Sequence, residues 1–399
     1  MAPKTMTPSA PMLQGVQAPD VVVDPPTFYR YTRRMRFPMR AQTAIAGLGT
    51  SDSVQLKKTG VVAGLEVRIG GSVVIGGTIG TTTMSYEWPY NLVKAFKLSA
   101  NGQSNLIDAR GLTIKAWDFI GNGDVNDRGV QQRIGNATAK YQGTLSLASE
   151  DWGGTGAAAN FMAPGLNVAA IATYPIDLTY FIPLAADQVS LVGSIYGQSQ
   201  ATNLNLEIVY SSQAELFSAV GGAATISFAG VTFDVTGVVY SIPNVGGRYV
   251  VPDLSQFHQI SEFRQGGLVS GANEVNLPGT GAGRTLLRLL WNVYSSATPL
   301  AMNATNFSDV AWKYGGNDVP ETLPNGQKLR ALNERQTGCD IGANWGLALW
   351  DFASQHALRD AVDTGSTSDL RIVIGLVSSP TNGYVQLAQE NLFAGAVGA

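Results

Sequence analysis

The chain has 399 residues and a net charge of −3, with only 14% charged side chains against 46 glycines. Its single cysteine cannot form an intrachain disulfide. Together with the two histidines it falls short of the four nitrogen or sulfur ligands of a structural zinc site. We therefore expect no metal site and no cofactor, and interpret the chain as a structural protein and not an enzyme. The length predicts two or three domains.

The N-terminal segment concentrates positive charge. Residues 1–45 hold six Lys and Arg against two Asp, a local charge of +4, which leaves −7 for the remainder. Residues 1–27 are rich in Pro, Ala, Thr and Met without periodicity, which is typical of an extended arm that orders against neighbours. The N-terminus lacks the charged and apolar regions of a secretory signal, so we expect synthesis in a cytoplasm.

Aromatic and basic side chains interleave from Phe28 to Arg40. We predict that the arginines of this segment contact lipid phosphates or anionic neighbouring chains: Arg30, Arg33, Arg34, Arg36 and Arg40. Tyr29, Tyr31 and Phe37 would anchor at the same interface. A solvated strand with scattered charge is the alternative. Because so few phosphate contacts give only weak, salt-sensitive binding, we expect no specific nucleic-acid recognition.

Beyond this segment, apolar and polar residues alternate with the period of strands that have one buried face. The clearest examples lie at 65–69, 203–210, 231–236, 287–293 and 370–376. In the fourth of these, Arg288 and Asn292 are assigned to the wet face. Glycine and asparagine clusters supply the turns between strands.

Two segments break this period and predict helices. The first spans 112–120, with Asp108 as its N-cap and Gly121 as its end. The second is capped by Asn325 and ends at Gly338. One helix in each half of an otherwise all-β chain indicates a duplicated architecture.

The predicted organisation has three parts. An extended basic arm occupies 1–45, a first β unit 46–245, and a second β unit with a C-terminal tail 246–399. The second boundary is placed in the Pro- and Gly-rich stretch 241–249.

Motifs that could carry chemistry are weak. His258 and His356 are far apart and lack metal-ligand spacing, so they are interpreted as structural or surface residues. The acidic loop 121–127 lacks the bidentate Glu of a calcium loop, and the glycine-rich loop 279–284 lacks the Lys of a phosphate-binding loop. Cys339 is interpreted as a small buried apolar residue.

The order of these features resembles the major capsid proteins of tectiviruses, the membrane-containing phages with double jelly-roll capsids. The resemblance runs from about residue 55 to the end. It is carried by the segments 57–69, 85–103, 109–121, 174–185, 231–243 and 249–260.

This resemblance implies an all-β fold of two side-by-side eight-stranded jelly rolls, each with an inserted short helix. It implies a homotrimer with a pseudo-hexagonal outline that tiles an icosahedral shell around an internal membrane and genome. The implied partners are other copies of the chain, neighbouring trimers, minor capsid and vertex proteins, and the internal lipid membrane. The implied location is the virion capsid shell, after synthesis in the host cytoplasm.

The competing hypothesis is a jelly-roll protein that binds or hydrolyses carbohydrate. Such an enzyme needs two carboxylates facing one groove. Glu87 beside Trp88 and Asp351 beside Trp350 are the candidates. Neighbouring residues of a strand point to opposite faces, which makes both pairs weak.

Overall fold

A computed structural model describes most of the chain. The described residues are 5–6, 21–100, 103–121, 171, 173–198, 203–278, 283–314, 318–337, 341, 346–353, 361–365 and 370–394. Cys339, His356, Gly338 and most of the loops 121–127 and 279–284 lie outside them.

Strands dominate the fold. Those of the first half are β1 (Thr5–Met6), β2 (Val21–Val23), β3 (Arg34–Ala44), β4 (Ser51–Gln55), β5 (Val61–Thr78), β6 (Thr83–Met84), β7 (Val93–Ala100), β8 (Gln103–Ala109), β9 (Thr173–Pro183), β10 (Ile195–Tyr196), β11 (Leu204–Tyr210), β12 (Phe217–Ala219) and β13 (Ala223–Tyr240). Those of the second half are β14 (Asn244–Val245), β15 (Arg248–Val251), β16 (Gln256–Gly266), β17 (Gly271–Asn276), β18 (Arg284–Ser295), β19 (Thr298–Pro299), β20 (Phe307–Tyr314), β21 (Asp318–Leu323), β22 (Ala348–Asp351), β23 (Val362–Asp363), β24 (Leu370–Leu376) and β25 (Tyr384–Ala394). The α-helices are α1 (Pro25–Tyr31), α2 (Gly111–Gly121), α3 (Gln213–Leu216) and α4 (Gly326–Thr337), and Tyr90–Leu92 forms a 3-10 turn.

Both halves of the chain repeat one strand order. In the first half, one sheet runs β3-β13-β5-β9 and the other β4-β11-β7-β8. In the second half, the corresponding sheets run β16-β25-β18-β22 and β17-β24-β20-β21. Counting these eight principal strands along either half gives the orders 1-8-3-6 and 2-7-4-5. This is the eight-stranded, double-sheet jelly roll, so the predicted all-β pair of jelly rolls is confirmed.

One parallel strand pair joins the two jelly rolls. The fifth strand of the first roll, β8, lies beside the first strand of the second roll, β16, with Ile107 opposite Ile260. The second sheet of roll one and the first sheet of roll two therefore form one continuous ten-stranded sheet.

The continuous sheet is buried on both faces within the second roll. Leu289 and Trp291 of β18 belong to the core of the second roll, whereas Leu290 belongs to the larger core of the first roll. Arg288 and Asn292 are accordingly buried, so the sequence assignment of these two residues to a wet face is wrong. The first roll covers the face that the period-two pattern predicts to be solvated.

Both predicted helices occupy the same position, between the fifth and sixth strands of a roll. The α2 helix begins at Gly111, where an added Cβ would lie 2.3 Å from the backbone oxygen of Tyr90, so only glycine fits. Asp108 is not its N-cap, because β8 continues through Asp108 to Ala109. The predicted cap of α4 is confirmed, since Asn325 Oδ1 accepts a hydrogen bond from the backbone N–H of Lys328 at 3.0 Å.

Part of the predicted arm belongs to the first jelly roll. Strand β3 pairs with β13 from Arg34 to Ala44 and buries Met39 against the first core. The N-terminal β2 lies parallel to β15, next to the segment that connects the two rolls. Strand β3 is thus the first strand of the first jelly roll, although its residues fall within the predicted arm of 1–45. Where the arm itself ends stays a prediction.

Candidate functional site: a basic edge strand and a buried junction

The α1 helix holds the first part of the basic segment against the outside of the first roll. Asp24 caps it by accepting a hydrogen bond from the backbone N–H of Thr27 at 3.3 Å. Pro25 and Pro26 suit the first helical positions, where no N–H is needed. Phe28 is fully buried in a small apolar cluster formed with Val61, Ala63, Ala185, Leu191 and Val250.

The last three side chains of α1 are exposed. Tyr29 and Tyr31 are 41% and 51% exposed. The Tyr29 hydroxyl donates to the backbone oxygen of Ser190, and the Arg30 guanidinium lies 5.4 Å from the centre of the Tyr31 ring. Arg33 follows the helix, is exposed, and its backbone N–H donates to Ser241 Oγ at 2.9 Å. This end of the roll therefore presents two arginines beside exposed aromatic rings.

The other three predicted arginines lie on β3. Arg34, Arg36 and Arg40 are all exposed, and β3 is the outermost strand of its sheet, with β13 as its partner. Arg36 pairs with Glu66 at 2.9 Å, but its side chain remains 70% exposed. An ion pair in that setting contributes about 0–1 kcal/mol. The structure thus divides the basic segment into a helix end and a charged edge strand.

A buried cluster centred on Arg110 crosslinks the two rolls beside the β8–β16 pair. Arg110 Nε donates to Glu262 Oε1 at 2.7 Å, and its backbone N–H donates to Glu262 Oε2 at 2.8 Å. The guanidinium also donates to Glu87 and to the Tyr294 hydroxyl. Burial opposes the charge on Arg110, but Glu262 and Glu87 outweigh that effect and raise its pKa further above the usual value. The guanidinium of Arg110 therefore stays charged.

A second buried cluster centres on Glu390 of β25. Its carboxylate accepts hydrogen bonds from His258 Nε2 at 2.8 Å, Arg288 Nη1 at 3.0 Å and Trp117 Nε1 at 3.0 Å. Burial alone would raise the pKa of Glu390, but Arg288 and His258 lower it to about 2. Trp117 belongs to α2, so this cluster also ties the first roll to the second.

Each ring nitrogen of His258 has a partner at the junction of the two rolls. Its Nδ1 lies 3.1 Å from the backbone oxygen of Pro183, and its Nε2 lies 2.8 Å from Glu390. His258 is a buried structural residue of the junction, one of the two roles predicted for it.

The carboxylates offered for carbohydrate chemistry are engaged elsewhere. Glu87 accepts from Arg110 and Tyr294, and Asp351 accepts from Arg288 Nε at 3.1 Å. Both belong to the buried clusters just described. Neither is available as one of a pair of carboxylates in an open groove.

Within the described ranges, no group of three or more His, Cys, Asp or Glu residues is placed to hold a metal ion. No helix in the described part of the chain is long and apolar enough to cross a membrane.

The two buried clusters were not predicted from the sequence. Arg288 in β18 carries the one signal, a charged residue within a run of apolar ones, whereas Glu390 in β25 lies between Gln389 and Asn391 and carries none. The period-two pattern favours solvent for such a residue, and it does not indicate that a second roll covers it. Glu262 and Arg110 gave no signal of their own, because their partners come from distant strands.

No family model and no curated protein matches this sequence. Solved structures do match its fold. The crystal structure of the STIV MCP is 16% identical with a TM-score of 0.60, over 90% of this chain and 96% of that chain. The atomic structure of Sulfolobus Turreted Icosahedral Virus is 16% identical with a TM-score of 0.58, over 90% of each chain. The quasi-atomic model of the PBCV-1 virus capsid is 13% identical with a TM-score of 0.53, over 90% of this chain and 93% of that chain. At these identities the comparisons show a shared fold.

Proposed function

We propose that this chain is a major capsid protein that acts by shape and assembly, without catalytic turnover. The repeated strand order, with the two rolls fused through one continuous sheet, is the observation that carries the proposal. It makes the chain one block with two nearly equivalent lobes. Matches of the same fold over about nine-tenths of the chain, one of them to a PBCV-1 virus capsid, support this proposal.

The assembly we propose is a homotrimer. Three chains of two lobes give six similar lobes with a pseudo-hexagonal outline, and such units tile the facets of an icosahedral shell. As in the tectivirus proteins that the sequence resembles, the shell would enclose an internal membrane and the genome, and would contact minor capsid and vertex proteins. Assembly would place the chain in the virion after synthesis in the host cytoplasm.

The α1 end of the first roll is the proposed lipid-facing surface. Arg30 and Arg33 are exposed there beside Tyr29 and Tyr31. Arginines attract anionic headgroups, and tyrosines favour the membrane–water interface. We expect the protein to float with vesicles that contain phosphatidylserine and not with pure phosphatidylcholine vesicles. The R30E/R33E variant should lose this binding; equal flotation of variant and wild type would contradict the lipid role.

Electron microscopy of the purified chain tests the capsid proposal. Negatively stained particles should show a threefold unit with a hexagonal outline. Particles the size of a single chain at micromolar concentration would contradict it. Binding to a glycan array in the same sample would direct attention back to the carbohydrate hypothesis.

A further inference from the structure

The internal junction has an unfilled counterpart at the outer ends of the chain. Inside the chain, the fifth strand of roll one (β8) lies parallel to the first strand of roll two (β16). The equivalent strands at the outer ends are β21, the fifth of roll two, and β3, the first of roll one. Each pairs on one side only among the described strands: β21 with β20, and β3 with β13. The chain therefore forms one such strand pair internally, β8 with β16, and leaves β21 and β3 each with one free edge among the described strands.

The two outer strands have opposite charge. Strand β3 contains Arg34, Arg36 and Arg40 and no acidic residue. Strand β21, with the sequence DVPETL, contains Asp318 and Glu321 and no basic residue. Arg34, Arg40 and Glu321 are exposed, and none of the three has an ion-pair partner among the described residues. A contact between these strands would supply partners of opposite charge.

Both strands also contain residues that disfavour non-specific pairing with other strands. Each contains one proline, Pro38 in β3 and Pro320 in β21, which cannot donate a hydrogen bond to a neighbouring strand. Charge and proline are the usual protections of an exposed sheet edge. Such an edge accepts a partner that offers the complementary charge and rejects a copy of itself.

We infer that β21 of one chain lies alongside β3 of the next chain, parallel to it, as β8 lies alongside β16 within the chain. This inference rests on the proposed homotrimer and names the surfaces that close it. The contact joins two different surfaces, so repeating it generates a ring when the rotation closes. Every roll in a three-chain ring then has one neighbour within its own chain and one from another chain.

The polarity of this contact distinguishes it from the internal one. Within the chain, the basic residue Arg110 follows the fifth strand and the acidic residue Glu262 lies on the first strand. Between chains, the acidic Glu321 lies on the fifth strand and the arginines lie on the first. Placing β21 against β16 would bring Glu321 towards the carboxylate-bearing strand. The reversed charges therefore favour the pairing of β21 with β3.

Charge reversal at the two strands tests the inference. In the R34E/R40E variant, β3 and β21 repel, and we expect sedimentation equilibrium to show a trimer dissociation constant at least about tenfold higher than that of the wild type. The D318K/E321K variant should weaken the trimer in the same way. Combining all four changes restores opposite charges and should restore the trimer.

Two controls make the result specific. The R30E/R33E variant changes the same number of charges on the neighbouring helix end and should leave the trimer intact. Thermal unfolding at one protein concentration should show that the Glu321 change, which also removes the hydrogen bond from Trp350 Nε1 at 2.8 Å, leaves the protein folded. Hydrogen exchange offers a second measurement, because residues 34–44 should be protected in the trimer and exchange faster in R34E/R40E.

The outcomes separate this inference from the proposed function. A monomeric wild type would contradict the proposed trimer itself. A trimeric wild type that tolerates both reversals, or a fourfold variant that stays dissociated, would overturn the pairing of β3 with β21 and leave the capsid proposal standing.

Discussion

The first strands of the two jelly rolls occupy the same place in the fold and use their charged residues differently. Strand β16 is flanked by β25 and β8, and it contributes His258 and Glu262 to the two clusters at the junction of the rolls. Strand β3 is flanked by β13 alone among the described strands and presents exposed arginines. A charge covered by the other roll fastens the halves of the chain together. A charge on an uncovered edge is available to another chain.

The largest effect is expected at Arg110, whose side chain pairs with two carboxylates at the junction of the rolls. Replacing Arg110 with Ala leaves Glu262 and Glu87 without their partner in a largely buried site. An uncompensated buried charge costs about 3–5 kcal/mol, which urea denaturation at a fixed protein concentration would measure. Lys94→Ala, which breaks an exposed pair with Glu215, is the matched control. A loss for Arg110→Ala no larger than that of the control would show that the junction does not depend on this cluster.

Phe28→Ala should detach α1 from the outside of the first roll. The ring is fully buried, and such truncations cost about 3–5 kcal/mol, with the larger losses where the site cannot collapse. Because the cluster is small, the loss should appear locally, as faster hydrogen exchange in residues 25–31. Tyr31→Ala, on the exposed side of the same helix, should change neither the hydrogen exchange of residues 25–31 nor the free energy of unfolding. Unchanged exchange in Phe28→Ala would mean that other contacts hold the helix.

Acid should weaken the junction through Glu390. Its pKa in the folded protein is about 2, below its ordinary value of 4.5, so its contribution is complete above pH 4.5 and is lost as the pH falls towards 2. The contribution is on the order of 3 kcal/mol. In Glu390→Gln, the free energy of unfolding should therefore fall less steeply with acid in this window than in the wild type. Parallel pH profiles for the two proteins would contradict this role.

The smallest effect is expected at the exposed edge. Arg36→Ala removes an ion pair whose arginine is 70% exposed, and it should cost about 0.2–1 kcal/mol, with the loss reduced further by salt. Urea denaturation at low and high salt measures both effects. A cost comparable to that of Arg110→Ala would remove the distinction between the edge and the junction.

The strands and helices could be predicted from the sequence because each depends on local patterns. Strand β11 alternates buried and partly buried residues along its whole length, as its period-two pattern predicts. Asn325 caps α4 through its own side chain, which is a signal within three residues. The position of the helices, one in each half, also follows from these local patterns.

The junction could not be predicted because its partners are distant in sequence. Arg288 alternates with leucines, and the pattern alone favours solvent for it; only the packing of the first roll against β18 buries it. The ion pair between Arg110 and Glu262 spans 152 positions. The composition of the basic segment indicated a charged interface. Only the fold separates the three arginines on β3 from Arg30 on α1 and Arg33 just after it.

Light scattering of the purified chain, at neutral pH and at two salt concentrations, would show directly whether it forms a trimer. We expect a species near three times the 42.1 kDa chain mass that persists at the higher salt, because obligate interfaces bury much apolar surface in addition to ion pairs. A species of 42.1 kDa at micromolar concentration under both conditions would contradict it.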